Sequence, residues 1–417
     1  MLKYIFGPPL IFSRLGARCS TYEELKSMER DSTGSRACPV ASGPETTPPW
    51  TLWEILIALF LTGVAIGGGG CTDSVPDGER SMFRADARRM GVYEPDSTID
   101  GAELWRFETG RQVRASATVA GRTVFIGSFD DALYALDRQT GTEKWRFETG
   151  NDVFSTPAVL GENVYVGSAD HFMYALDAET GEVEWRHETG GEVSASPAVI
   201  DGRVYVGSAD SSVYALDMHT GEVQWRFEAE GGIVSSPAVA RGTVYVGDLH
   251  RHVYALNAET GTEQWRFEAG DGIFSTPAVV AGTLYVGSLD SHVYALDAEN
   301  GNEQWRFETG NDVVASPAVS GRTIAVGSTD GRLYALNAET GEERWSIDVG
   351  RFIFSSPTIA GGTVYVGSPD THLYAIDLRG GNQRWRFETR AGVASSPAVV
   401  GGKIYFGSLD GNVYALE

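Results

Sequence analysis

Lysine is almost missing from this sequence of 417 residues: nearly all positive charge is arginine, and the only lysines are Lys3, Lys26, Lys144 and Lys403. Carboxylates are abundant, with 56 Asp and Glu against 33 Lys and Arg, which gives a formal net charge of −23. Such a chain lacks the basic surface that phosphate binding requires, so nucleic acid is excluded as a partner. Abundant carboxylate with so little lysine indicates a halophilic protein, because concentrated salt screens the self-repulsion.

Cysteine is scarce as well, and Cys19, Cys38 and Cys71 all precede residue 72. The remaining chain therefore cannot form a disulfide, a cysteine-based zinc site or a thiol nucleophile. Apolar residues with helical spacing are also missing after residue 100. These absences exclude a helical, disulfide-stapled or zinc-finger type of domain.

Long hydrophobic runs are missing except for Ile55–Ile66. This run is shorter than the roughly 20 residues that a membrane span needs, and its length is typical of a signal-peptide core. Small residues follow and end at Cys71, which resembles a lipobox, although Gly68 stands where a larger apolar residue is usual. We expect a lipid anchor at Cys71; an uncleaved signal anchor is the alternative, and both place the remaining chain outside the cytoplasm. We predict a disordered leader (1–49), a signal segment (50–71) and a tether (72–100).

Tryptophan recurs every forty residues after residue 100, without insertion or deletion, at Trp105, Trp145, Trp185, Trp225, Trp265, Trp305, Trp345 and Trp385. Each unit contains four short runs rich in Val, Tyr, Thr and Trp, separated by Gly, Asp and Asn. In the second unit the last two runs are joined by ALDAETGEVEW (Ala175–Trp185), where an Asp and a Gly suit a tight turn. Four strands per repeat of this length are typical of a propeller blade.

The phrase ALDAETGEVEW resembles the tryptophan-docking motif of the PQQ-type β-propeller repeat, which quinoprotein dehydrogenases and the assembly lipoprotein BamB share. The resemblance covers residues 101–417 and implies an all-β, eight-bladed propeller of four-stranded antiparallel blades. It also implies that the eight tryptophans are structural docking residues. The repeat begins with a fourth strand alone, Leu104–Gly110, and ends at a third strand. We therefore predict that the first strand completes the last blade and closes the ring.

Two residue types recur where the turns should meet the central channel. A carboxylate follows the second strand of seven units, at Asp130, Asp170, Asp210, Asp290, Asp330, Asp370 and Asp410. A hydroxyl occupies the inner strand of all eight, at Ser116, Thr156, Ser196, Ser236, Thr276, Ser316, Ser356 and Ser396. An acidic ring for a cation and a polar ligand ring are the functional interpretations. Turn formation and satisfaction of backbone groups are the structural ones.

Deviations from the repeat are the remaining candidates for a ligand or partner face. The fourth full unit carries Asp248, His250 and His252 where its siblings have Ser-x-Asp, which favours a partner-facing or pH-sensitive patch over a metal site. The links that join successive blades also vary, and their candidate anchors are Arg114, Phe154, Phe274, Arg351, Phe352 and Phe354. Burial between blades is the alternative for the phenylalanines.

We expect a non-enzymatic, membrane-anchored scaffold, monomeric as a propeller, that binds envelope or cell-surface proteins. A PQQ-dependent dehydrogenase and a cell-surface sensor or carbohydrate-binding propeller are the alternatives. The family's enzymes use adjacent cysteines, a stacking tryptophan, calcium ligands and a catalytic aspartate, and no counterpart of this set is identified here. We therefore expect no cofactor, neither PQQ nor calcium, and no catalytic or metal-binding residues.

Overall fold

The computed structural model describes residues 99–417 and three short strands before them, Ala65–Gly67, Arg80–Ser81 and Val92–Tyr93. Apart from Ala65–Gly67, the predicted signal segment lies outside the described residues, as do Cys71 and the predicted leader. The described part of the chain contains no helix with the length and apolar character that a membrane span needs.

Each blade contains a four-stranded antiparallel sheet, and we name its strands A to D from the channel outwards. In blades 1 to 7 these strands follow one another along the chain. Strands B and C of blade 2 are almost wholly buried, because neighbouring blades cover both faces. Strand D alternates, with Trp185 buried beside exposed Glu184 and Arg186. This two-residue period is that of an edge strand with one face packed and one face in solvent.

The strand bounds repeat with the sequence. In order A to D they are, for blade 1, Thr118–Ala120, Thr123–Gly127, Ala132–Asp137 and Glu143–Glu148; for blade 2, Ala158–Leu160, Asn163–Gly167, Phe172–Asp177 and Val183–Glu188; for blade 3, Ala198–Ile200, Arg203–Ser208, Ser212–Asp217 and Val223–Glu228; for blade 4, Ala238–Ala240, Thr243–Gly247, His252–Asn257 and Glu263–Glu268. They continue, for blade 5, with Ala278–Val280, Thr283–Gly287, His292–Asp297 and Glu303–Glu308; for blade 6, Ala318–Ser320, Thr323–Gly327, Arg332–Asn337 and Glu343–Asp348; for blade 7, Thr358–Ala360, Thr363–Gly367, His372–Asp377 and Gln383–Glu388; and for blade 8, Ala398–Val400, Lys403–Gly407, Asn412–Leu416 and Glu103–Glu108.

Blade 8 is assembled from both ends of the repeat region. Strand Glu103–Glu108 pairs antiparallel with Asn412–Leu416, so the first strand completes the last blade. The N–H of Gly101 donates to the carbonyl of Glu417 at 2.9 Å, as the N–H of Gly181 donates to Asp177 at 2.8 Å in the turn of blade 2. The predicted eight-bladed, all-β propeller and its mode of closure are confirmed.

The short strands that precede residue 99 pair with inner strands of three blades. Ala65–Gly67 runs parallel to Ala318–Ser320, and Val92–Tyr93 runs parallel to part of strand A of blade 7. Arg80–Ser81 pairs antiparallel with strand A of blade 2. Three blades are thereby extended by one short strand at their inner edge.

The hydrophobic core lies between successive blades. One cluster joins side chains of blades 2, 3 and 4, among them Tyr165, Trp185, Tyr205 and Trp225. Equivalent clusters follow around the ring, because each blade presents the same aliphatic and aromatic positions to the next. Each blade therefore depends on its neighbours for burial, as in other repeat folds.

Candidate functional site

The docking tryptophans join each blade to the following one. The indole N–H of Trp185 donates to the carbonyl of Met218, in the C–D turn of blade 3, at 3.0 Å. Its ring lies against Gly221, whose φ is +71° and where a Cβ would come within 2.5 Å of the ring. The same N–H bond, at 2.9–3.2 Å, is made by Trp105, Trp145, Trp225, Trp265, Trp305, Trp345 and Trp385.

Six of the seven turn aspartates bridge neighbouring blades by accepting an N–H of the preceding link. The exception is Asp370, because the N–H of Gly350 donates to Asp348 instead. Oδ2 of Asp130 accepts the N–H of Gly110, in the preceding link, at 2.6 Å and the phenol of Tyr134 at 2.7 Å. The tyrosine bond recurs at all seven positions. Burial, followed by the hydrogen bond to Asp210, raises the pKa of Tyr214 to about 12, so the phenol remains a donor at neutral pH. These contacts match the structural interpretation of the aspartates.

The eight inner hydroxyls form a closed ring of hydrogen bonds. The N–H of Thr156 donates to Oγ of Ser196 at 3.0 Å, and every blade repeats this bond to the next. The circuit ends where the N–H of Ser396 donates to Oγ of Ser116 at 2.9 Å. The remaining distances are 2.9–3.3 Å. The hydroxyls therefore satisfy backbone donors that would otherwise face the channel.

Blade 4 brings Asp248 and His252 together and leaves His250 exposed. Asp248 is fully buried, and its Oδ2 accepts the phenol of Tyr254 at 3.0 Å and the N–H of Gly231 at 3.1 Å. It therefore accepts the tyrosine bond of a turn aspartate from two residues upstream, but its donor in the link is one residue later than in the other blades. The N–H of Glu230 donates to the phenol oxygen of Tyr254 instead, at 3.3 Å. Nδ1 of His252 is buried without a hydrogen-bond partner, 3.6 Å from Asp248.

Glu230 completes this arrangement and was not identified from the sequence. Its position in the link holds glycine in six other units and Arg390 in the seventh. Oε1 of Glu230 lies 2.7 Å from Nη1 of Arg266, and Oε2 lies 4.0 Å from Nδ1 of His252. Alignment of the eight links would have revealed the substitution, although its partners could only be found in three dimensions.

The predicted anchors in the links differ in exposure. Arg114 is 2% exposed and hydrogen-bonds the side-chain carbonyl of Gln112, with its guanidinium over the ring of Phe129. Phe154 packs edge-on against Phe129 at 4.5 Å between ring centres. Phe274 and Phe354 are also buried. Arg351 is exposed and Phe352 is half-buried, so these two remain accessible from the surface.

Two grooves open between the outer parts of neighbouring blades. The groove between blades 8 and 1 has a volume of about 490 Å³, and the one between blades 4 and 5 about 430 Å³. The larger is lined by Phe107, Glu108, Thr109, Gly110, Asp130, Ala132, Tyr134, Glu143, Arg146 and Glu148. The smaller is lined by the equivalent residues Phe267, Glu268, Ala269, Gly270, Asp290, His292, Tyr294, Glu303 and Arg306.

Comparison with known families agrees with this geometry. The sequence profile of the family described as outer membrane protein assembly factor BamB matches residues 91–193, 161–238, 228–315 and 289–417. The chain belongs to this family. No curated protein matches the sequence significantly.

Solved structures of the same architecture include BamB and dehydrogenases. BamB from Moraxella catarrhalis is 20% identical, with a TM-score of 0.68 over 76% of this chain and 99% of its own. A europium-containing methanol dehydrogenase is 14% identical, with a TM-score of 0.70 over 79% and 90%. Quinohemoprotein alcohol dehydrogenase from Comamonas testosteroni is 17% identical, with a TM-score of 0.69 over 82% and 81%. At these identities the likeness shows the fold alone.

Tryptophan and cysteine are two residue types that the enzymes of this fold place around a quinone. All eight tryptophans of residues 101–417 are engaged in the blade joints, and this range contains no cysteine. Within residues 99–417, no three His, Cys, Asp or Glu side chains converge as a metal site requires. Residues 101–417 therefore offer no tryptophan outside the blade joints and no cysteine pair for such a site.

Proposed function

We propose that this chain is a membrane-anchored, extracytoplasmic scaffold without enzymatic activity, which binds other envelope or cell-surface proteins. Membership of the BamB family supports a role in envelope assembly. The observation that carries the proposal is the engagement of every propeller tryptophan in a blade joint, since no indole is left to stack on a quinone. The anchor rests on the lipobox-like sequence that ends at Cys71.

A closed ring of eight nearly identical blades suits a scaffold. Its backbone donors are satisfied from blade to blade, and its outer strands present an ordered rim. A surface that is rigid before binding loses little conformational freedom when a partner docks. The ring can therefore present several binding positions at fixed spacing.

Crosslinking in whole cells, followed by mass spectrometry of the captured proteins, tests the scaffold proposal. We expect specific envelope partners to crosslink to the chain and to be lost when the exposed surface is altered. Recovery of the protein only as a free monomer, at crosslinker concentrations that trap a known envelope complex, would contradict it.

Reconstitution tests the absence of enzymatic activity. The purified full-length protein would be mixed with PQQ and Ca²⁺ in concentrated salt. We expect neither a bound-quinone spectrum nor dye reduction with alcohols or sugars. Saturable quinone binding with substrate-dependent dye reduction would contradict the scaffold proposal and indicate a dehydrogenase.

The anchor has its own experiment. Intact mass of the membrane-extracted protein should correspond to a chain that begins at a lipid-modified Cys71. The Cys71→Ser variant should lose both the lipid mass and the membrane fraction. A Cys71→Ser protein that stays in the membrane would indicate an uncleaved signal anchor.

A further inference from the structure

Each of the two grooves is lined by one glycine from the link between its two blades. Gly110 lines the larger groove and Gly270 the smaller, and the atoms nearest to an added Cβ would be those of the adjacent turn aspartate, at 2.9 Å and 2.8 Å. The joint between blades 3 and 4 has Glu230 at this position. Its carboxylate lies across the joint and pairs with Arg266 at 2.7 Å. The glycines therefore leave open a space that the chain itself fills in blade 4.

The walls of the grooves combine aromatic edges with an excess of carboxylate. Phe107 and Tyr134 meet edge to face at 5.4 Å in the larger groove, and Phe267 and Tyr294 do so at 5.2 Å in the smaller. The larger groove has a single cationic side chain, Arg146, against four carboxylates, Glu108, Asp130, Glu143 and Glu148. Carboxylates beside aromatic rings are the environment that recognises a planar cation.

Arginine fits such a groove better than lysine does. Its guanidinium is planar, forms paired hydrogen bonds with carboxylates and stacks on aromatic faces. The chain shows the same chemistry in blade 4, where the guanidinium of Arg266 lies 5.6 Å from the ring centre of Tyr254 while it binds Glu230 and Glu263. In the larger groove the corresponding arginine, Arg146, pairs with Glu148 at 3.4 Å instead. A foreign guanidinium would meet Tyr134 and Glu143, the counterparts of Tyr254 and Glu263.

We propose that the groove between blades 8 and 1 and the groove between blades 4 and 5 each bind an arginine side chain presented by an extended segment of a partner protein. This inference rests on the proposed scaffold function and specifies the chemistry of its partner. The net charge of −23 attracts such a segment from a distance. The grooves then select arginine at close range.

Binding of a labelled Gly-Arg-Gly-Arg-Gly peptide to the full-length protein, measured by fluorescence anisotropy, tests the proposal. The decisive variant is Gly110→Glu combined with Gly270→Glu, which copies the residue that closes the joint in blade 4. Arg390 shows that a side chain is accommodated at this position, since its N–H still bonds Asp410 at 3.0 Å. We expect the affinity to fall by roughly tenfold, which corresponds to about 1.4 kcal/mol.

The variant separates groove binding from attraction to an acidic surface, because it adds two carboxylates. General attraction predicts tighter binding, whereas a filled groove predicts weaker binding. Gln139→Glu, which adds charge at an exposed turn at the far end of strand C, should leave the affinity nearly unchanged. Glu230→Gly should add one peptide site by opening the joint in blade 4. Unchanged melting temperatures confirm that the variants fold.

Three results would overturn the proposal: no binding of the arginine peptide, equal binding of a Gly-Glu-Gly-Glu-Gly peptide, or binding that Gly110→Glu with Gly270→Glu leaves unchanged or strengthens. If the variants misfold, Glu108→Gln with Glu148→Gln replaces them and should also weaken binding. Envelope partners that crosslink equally to the parent and to these variants would refute the groove while leaving the scaffold function intact.

Discussion

At the scale of single residues, each docking tryptophan makes two contacts with the next blade. Its N–H satisfies a carbonyl in the next blade, and its ring covers the glycine of the same turn. Trp145 approaches Gly181 so closely that a Cβ would lie 2.7 Å from the ring. The pairing of Trp with Gly is therefore a steric requirement as well as a turn requirement.

Gly181→Ala should destabilise the propeller more than Gly202→Ala does. The two glycines have φ values of +76° and +77°, but a Cβ at Gly202 would meet nothing within 4 Å. The positive φ costs both variants about 1 kcal/mol. Overpacking against Trp145 should cost Gly181→Ala a further 1–3 kcal/mol, roughly. Urea unfolding measures the free energy of unfolding of both variants. Equal losses of stability would show that Trp145 moves to accommodate the added methyl group.

Asp248 can be tested as the replacement for the turn aspartate that blade 4 lacks at position 250. Asp248→Ser should cost about 1–3 kcal/mol, because Tyr254 and Gly231 lose a buried acceptor. Adding His250→Asp restores the Ser-x-Asp pattern of the other blades and should recover most of the loss. A double-mutant cycle on the free energy of unfolding measures this coupling. Additive effects would mean that the two positions act independently.

At the scale of elements, much of the blade could be predicted because its information is local. The Asp177 and Gly181 pattern specifies the C–D turn, and the two-residue period of strand D specifies which side faces the neighbour. The bond between Asp130 and Gly110 could not be predicted, because the two residues belong to different blades. The unusual residues of blade 4 were visible in the sequence, but their function as a relocated acceptor appears only when Tyr254 is placed beside Asp248.

The C–D turns should make stability depend on acid. The backbone N–H of Thr180 holds the pKa of Asp177 below its ordinary value of 3.8, and the N–H of His219 does the same for Asp217. A depressed pKa contributes stability that is complete above the unfolded value and is lost as the pH falls through the folded one. The free energy of unfolding should therefore drop below about pH 4.

Asparagine supplies the control for this pH dependence. Asn257 accepts the same turn hydrogen bonds, at 2.9–3.0 Å, without an ionisable group. Asp177→Asn combined with Asp217→Asn should keep the turns and flatten the loss of stability in acid. The unfolding free energy, measured from pH 6 to pH 2 in parent and variant, decides the point. If the unfolding free energies of parent and variant fall in parallel with pH, other carboxylates cause the loss of stability in acid.

At the scale of the whole molecule, charge sets the solution behaviour. Carboxylates outnumber basic residues by 56 to 33, so repulsion outweighs the ion pairs of the surface. Those ion pairs, such as Arg322 with Glu339, are largely exposed and contribute little. The number of blades and the closure of the ring could be predicted from the unbroken forty-residue repeat. The grooves could not, because they depend on how side chains of different blades pack together.

Added salt should raise the melting temperature of the protein. Screening shortens the reach of repulsion to about 10 Å at 0.1 M salt and about 3 Å at 1 M. We expect the midpoint to rise steadily over this range in sodium chloride. An isomolar sucrose series controls for effects that do not depend on charge. A midpoint that falls with salt would show that ion pairs dominate over net repulsion.

The strand Glu103–Glu108 has a mechanical consequence. Tension applied to the chain at Ile99 enters the ring at this strand, which is held by its ladder to Asn412–Leu416 and by Trp105 docked on blade 1. A pull along the strand stretches all these bonds together, whereas a pull away from the sheet opens them in turn. Blade 8 should therefore resist a force along the strand far better than a force perpendicular to the sheet. The direction in which the tether pulls would determine the force at which the ring opens.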